Sequence, residues 1–205
     1  MGDSMSSMVL SGDTSGTVTV TVPAVAGTNT VTIPAVTGTA VVSGQNSAIT
    51  AGTAVASTSG TSITFTGIPS WVKRITVMYA GLSSNGSSDF LVQLGTSGGF
   101  TTSGYLGASM LTSTGATATL YTTGFGINQS SQGGGFVGHG IMTLALLDSS
   151  TNKWCASGTM AESDAARGSY TGGSIALSSV ATQVRLTTVN GTDTFDAGSI
   201  NILYE

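Results

Sequence analysis

Gly140 to Met160 reads GIMTLALLDSSTNKWCASGTM. An apolar run, IMTLALLD, ends in a cluster of turn-forming residues, and a second run, KWCASGTM, follows it. Runs this short, bounded by Ser, Thr and Asn, are strands rather than helices, and two of them across a brief polar break make a β-hairpin. The turn is expected between Asp148 and Asn152, which sets Leu146 and Trp154 near facing positions. The reading extends outward in both directions. Thr and Val alternate in TVTVTV (17–22), and strand candidates recur in SITFT, VKRITVMYA, DFLVQLG, ATLYTTG, QVRLTTV and SINILYE, each bounded by Gly, Ser, Asn or Pro. Helical periodicity is almost absent, so the fold expected is all-β, an antiparallel sandwich of the jelly-roll kind. Asn85-Gly86 and Asn190-Gly191 offer the positive-φ residues of two-residue hairpin turns.

Composition bounds the function. The 205 residues include only 7% charged side chains, against about 25% in an average globular protein, and 30 glycines. Mean hydropathy is +0.31, so Ser, Thr and Asn must carry solubility. The net charge of -4 comes from acids and bases scattered singly, without the basic clusters that phosphate backbones or anionic lipids require, so neither nucleic acid nor membrane is expected as a partner. The start, MGDSMSSMVLSGD, has no basic leader and no continuous apolar segment, so neither a signal peptide nor an anchor is expected.

Two regions differ. Thr19–Asn29, TVTVPAVAGTN, is followed by a near copy at Thr30–Ala40, TVTIPAVTGTA. Proline gives no ladder hydrogen bond, so each copy reads as an edge strand or extended arm stopped at Pro23 or Pro34. Every Trp and Phe lies from Thr61 onward. The expected organisation is therefore an arm over residues 1–60 and a β-sandwich over 61–205. An arm without large side chains must lean on something else, and Val20, Val22, Pro23, Val25, Val31, Ile33, Pro34 and Val36 are its expected assembly interface. The Gly/Ser-rich stretches between Ser97 and Gly138 read as loops at one end of the sandwich.

Motifs that suggest chemistry lack their partners. GTSGG (95–99) has the spacing of a nucleophile elbow around Ser97, but FTTSGYLG after it is no helix. GGGFVG (133–138) precedes a strand, whereas a dinucleotide site needs a strand before and a helix after. His139 is the sole histidine and reads as structural, and Cys155, the sole cysteine, as a small buried hydrophobe. Asp193 and Asp196 read as turn caps rather than a carboxylate pair for catalysis or cation binding, and Lys73-Arg74 as a solvated strand edge. Sequons at Asn85, Asn128 and Asn190 mean little without a secretory route. No catalytic residue, cofactor or metal is expected, and the chain is read as no enzyme.

GDTSGTVTVTVPAVAGTNTVTIPAVTGTAV (12–41) resembles the Thr/Val/Pro/Gly arms of tail-fibre and other small virion proteins of tailed bacteriophages. GIPSWVKRITVMYAGLSSNGSSDFLVQLG, GIMTLALLDSSTNKW and VRLTTVNGTDTFDAGSINILYE resemble a small β-domain of podophage and siphophage virion proteins. The resemblance implies a non-enzymatic structural protein on the exterior of a virion, made in the host cytoplasm and present in many copies as a trimer or dimer. Its partner would be the major capsid protein or a tail protein. A capsid decoration or cement role is favoured, because a fibre needs a long shaft and only two short repeats exist. A tail-fibre or host-binding adhesin is the alternative, and a carbohydrate-binding β-sandwich that stacks host-surface glycans on Trp71 or Trp154 is the second.

Overall fold

The computed structural model describes residues 7–11, 15–21, 49–113, 115–128 and 136–205, and it divides the chain into two compact units, Met1–Ala40 and Val41–Glu205. In the first unit β1 (Ser7–Ser11) pairs antiparallel with β2 (Thr17–Thr21), from Ser7 opposite Thr21 to Ser11 opposite Thr17. The alternating TVTVT is thus a strand, as its period requires. Of the eight expected interface residues only Val20 falls on a described element; Val22, Pro23, Val25, Val31, Ile33, Pro34 and Val36 lie outside the described residues.

The second unit is all-β, and no helix occurs among the described residues. Its strands run β3 (Thr50–Ala51), β4 (Val55–Ala56), β5 (Ser62–Thr66), β6 (Arg74–Ser84), β7 (Phe90–Thr96), β8 (Gly99–Phe100), β9 (Leu106–Thr112) and β10 (Ala116–Tyr121). They continue with β11 (Phe125–Gly126), β12 (Gly138–Asp148), β13 (Lys153–Glu162), β14 (Gly168–Ala176), β15 (Gln183–Thr188) and β16 (Phe195–Tyr204). A large antiparallel sheet follows the order β10-β9-β14-β13-β12-β6-β16, with β3 and β4 on the free side of β16. A small sheet, β11-β7-β15-β5 with β8 also on β7, covers one face of it.

The apolar residues that alternate along the strands meet between the sheets. Ile75 and Val77 of β6, Met142 and Leu144 of β12, Trp154 of β13 and Ile200 and Ile202 of β16 pack with Phe90, Val92 and Leu94 of β7 and Val184 and Leu186 of β15. Phe90 stacks on Phe195 at 5.6 Å and leans on Phe136 at 5.5 Å, while Tyr105 meets Phe125 edge-on at 4.9 Å. The hairpin of residues 140–160 forms with Leu146 opposite Trp154 and a turn between Asp148 and Lys153. The Asp148 carboxylate accepts from the Ser150 N–H and from the hydroxyls of Ser150 and Thr151, which holds it below the usual carboxylate range, and Asn152 takes a positive φ of 49°.

Three sequence expectations are corrected. The compositional boundary at Thr61 is not the structural one: β3 and β4 are edge strands on β16, the Gly52 N–H donates to the Ile202 carbonyl at 2.8 Å and the Ser57 N–H to that of Gly198 at 2.9 Å. Small residues join a sheet through their backbones, and composition does not register that. Asn85-Gly86 and Asn190-Gly191 are not hairpin turns, because each connects the two sheets, β6 to β7 and β15 to β16. The chain must cross about 10 Å between layers there, more than a two-residue turn spans. The two crossings bond to each other: the Asn85 N–H donates to the Thr194 carbonyl, and the Thr194 N–H donates to the Asn85 side chain, both at 2.9 Å. Finally, of the Gly/Ser-rich stretches between Ser97 and Gly138 expected as loops, TSGGFTTSGY contains the short strand β8, and residues 129–135 lie outside the described residues.

Candidate functional site

The polar residues singled out by the sequence are held in structural roles. His139, exposed on β12, accepts the Gly81 N–H at Nδ1 (3.2 Å) and meets Ser163 Oγ at Nε2 (3.1 Å). A backbone N–H only donates, so the ring proton sits on Nε2 and is donated to Ser163. A base that activates serine must instead present a lone pair to the hydroxyl. The pair is a strut between β6, β12 and the end of β13. Asp193 accepts from the Ser88 N–H (2.9 Å) and from Asn190 Nδ2 (2.6 Å), locking the two crossings together, while Asp196 lies apart as an exposed residue of β16. Ser97 is the exposed first residue of a two-residue turn between β7 and β8. Arg74 is ion-paired with Glu205 at the chain terminus, and Lys73 is exposed. Trp154 is core, but Trp71 is 39% exposed and tilted against Tyr204. Cys155 is half-buried rather than buried, because it alternates with Trp154 and faces out of the large sheet.

One polar group was missed. Asp89, Tyr121 and Asn128 are all buried, with Tyr121 Oη 2.6 Å from Asp89 Oδ2 and 2.7 Å from the Asn128 carbonyl, while Asn128 Nδ2 donates to Asp89 Oδ1 at 3.3 Å. The Tyr121 hydroxyl donates toward both oxygens; burial raises the Asp89 carboxyl above its ordinary range, and the hydrogen bond from Tyr121 works against that rise. The three residues fasten the start of β7 to the segment flanking β11. No local pattern in the sequence marks them, since they are drawn together only by strand pairing.

The feature that sequence reasoning did not anticipate is the outer face of the large sheet. Strand register places side chains in rows across it. One row runs Ala118, Met110, Tyr170, Thr159, Ile141, Met78, Asn201, and the next runs Leu120, Ala108, Gly172, Ser157, Thr143, Thr76, Leu203. A third runs Leu106, Ser174, Cys155, Ala145, Arg74. Across these rows Arg74 alone carries a formal charge, and it is paired. Leu120 is 82% exposed, Leu106 71% and Tyr170 58%, with Met110 and Ile141 close to half exposed. A clue was present: in IMTLALL both phases of the alternation are apolar, the pattern of a strand covered on two faces.

The class is thus an all-β sandwich whose large sheet has an outer face that is sparsely charged and partly apolar. No protein-family model, curated protein or solved structure matches the chain.

Proposed function

We propose that this is a non-enzymatic structural protein of the exterior of a tailed-phage virion, a capsid decoration or cement protein attached through its leading segment. The observation that carries this reading is the β1–β2 hairpin. Its strands are five residues long, it belongs to a unit of its own, and Val9, Leu10 and Val20 each stay more than half exposed. An isolated two-stranded hairpin is marginal in water, and lasting order needs a third strand or an apolar support. Strand addition onto a neighbouring capsid or tail subunit supplies both, through main-chain hydrogen bonds and pockets for alternate side chains. The repeat that follows, with Val22, Val25, Val31, Ile33 and Val36, extends the same apolar and Thr-rich character. The resemblance of the Thr/Val/Pro/Gly arm to virion proteins supports the same assignment, and the compact second unit stands as the exposed knob.

The test is a chain lacking residues 1–40, mixed with particles that lack the protein. The expected result is a folded fragment that no longer co-sediments with particles while the full chain does. Undiminished particle binding by the fragment overturns the attachment role.

A further inference from the structure

Asn85-Gly86 and Asn190-Gly191 are the same dipeptide, one in each of the two bonded crossings, yet the fold holds their amides differently. We propose that Asn85-Gly86 is a site of spontaneous self-modification, a deamidation whose product loosens the paired crossings, and that Asn190-Gly191 is protected from the same reaction by its hydrogen bonds. The inference does not rest on the virion assignment.

The reaction uses only the chain and water. The glycine backbone nitrogen attacks Cγ of the asparagine, a bond from that nitrogen to Cγ forms, and the bond from Cγ to Nδ2 breaks. The amide leaves as ammonia, carrying the proton that the backbone nitrogen gave up, and a cyclic imide remains. Water then opens the ring. Addition at Cγ gives aspartate, whereas addition at the main-chain carbonyl gives isoaspartate, whose backbone runs through the side chain and is longer by a methylene. Glycine, without a Cβ, lets the nitrogen and Cγ close on each other. The attacking N–H and the departing amide must both be free to move.

At Asn190 both are tied. The Gly191 N–H donates to the Thr188 carbonyl at 3.1 Å, and Asn190 Nδ2 donates to Asp193 Oδ1 at 2.6 Å. Asn190 Oδ1 also accepts from the Thr188 hydroxyl and from the N–H groups of Thr192 and Asp193, so the side chain is fixed at both ends. At Asn85 the side-chain oxygen accepts the Thr194 N–H at 2.9 Å, a donor that polarises the carbonyl under attack. Among the described residues nothing bonds Asn85 Nδ2 or the Gly86 N–H, and Asn85 is exposed to the water that opens the ring. Asp193 borders both dipeptides, since a Cβ at Gly86 would stand 2.0 Å from its Oδ2, so its charge does not distinguish them. Hydrogen bonding does.

The position makes the product consequential. The Asn85 N–H and side-chain oxygen are both bonded to Thr194, and an isoaspartate at residue 85 moves one bond relative to the other. Either product also adds a carboxylate to the crossing that Asp193 already charges.

The test incubates the unmodified full chain in mildly alkaline buffer, with and without urea, and follows both sites by peptide mass mapping and by enzymatic methylation of isoaspartate. In the folded chain Asn85 should convert at least about tenfold faster than Asn190, whose ring closure must first break the bonds to Thr188 and Asp193. In urea, where those bonds are gone, the two rates should converge. Asn85→Gln, whose longer amide must close a larger ring, should remove the fast phase of ammonia release. The aged fraction, separated by its added charge, should have a lower urea midpoint than the unconverted chain. Equal rates without urea, or faster conversion of Asn190, would overturn the proposal. So would a folded chain in which neither site converts although both do in urea. An aged fraction as stable as the parent would overturn the loosening.

Discussion

Gly198→Ala is expected to destabilise the second unit by at least about 3 kcal/mol, a loss of roughly 6–12 °C in melting temperature for a chain this size. Gly198 lies where β16 bulges against β6, between the pairs Ala197–Ser83 and Ser199–Ala80, and its φ is +99°. That region disfavours any L side chain by about 1–2 kcal/mol on backbone grounds alone. A Cβ there would stand 2.4 Å from the Gly81 carbonyl oxygen and 2.5 Å from its carbon. Both obstacles are backbone, so no rotamer relieves them, and the strands must part. The damage spreads because the junction is shared: the Gly198 carbonyl accepts the Ser57 N–H that holds the edge after β4, and the Gly81 N–H binds His139. Gly172→Ala is the control, since a Cβ at Gly172 meets nothing within 4 Å, and it should change stability by less than about 0.5 kcal/mol. Urea unfolding of the two variants separates the outcomes; a Gly198→Ala protein within 1 kcal/mol of the parent would refute the close approach.

The second large effect is alkaline. Tyr79, Tyr105 and Tyr121 are buried in the fold, and burial is the main cause that raises all three phenols, Tyr105 to about 12 against the Leu94 hydrogen bond and the Arg185 charge that lower it. The Asp89 hydrogen bond and charge push Tyr121 further in the same direction. The unfolded chain releases these protons near pH 10 while the folded chain keeps them. Their contribution to stability is therefore complete below pH 10 and is lost as pH rises through the folded values. Each retained proton is worth about 1.4 kcal/mol per pH unit, so the three together give a fall of up to about 4 kcal/mol per unit between pH 10 and 12. A fall of up to about 8 kcal/mol by pH 12 is comparable to the total of about 5–15 kcal/mol typical of domains, so the urea midpoint should drop steeply above pH 10 and unfolding should follow as pH rises further. Tyrosinate absorbance should then appear in a cooperative step together with loss of the β-sheet spectrum. Smooth titration of every tyrosine near pH 10, with stability unchanged, would contradict the packing.

Where local pattern and tertiary partner agree, the fold was legible. IMTLALLD and KWCASGTM form the expected hairpin in the expected register, and TVTVT is a strand. Legibility failed where partners are chosen from afar. Thr50–Ala56 holds too little apolar surface to announce itself, yet the backbone of β16 recruits it. The Asn-Gly pairs carry the chemistry of tight turns, but the strands they join belong to different layers, so the turns widen into crossings. SMVLS, without alternation, becomes β1 only because β2 stands beside it. Of the arm's expected interface residues, Val20 lies on β2 with its side chain about half exposed. The outer face stayed hidden because single exposed residues such as Leu120 and Tyr170 become a surface only once β9, β10, β14 and β12 are aligned.

The virion assignment requires a leading segment that attaches and a second unit that is displayed. The most direct measurement is where the chain sits on the particle, by antibody labelling or density in electron cryomicroscopy with the copy number counted. The reading predicts hundreds of copies on the head surface, with the sandwich outward and the arm against the shell. A handful of copies at the tail would contradict the decoration role, and absence from purified particles would contradict the virion assignment itself.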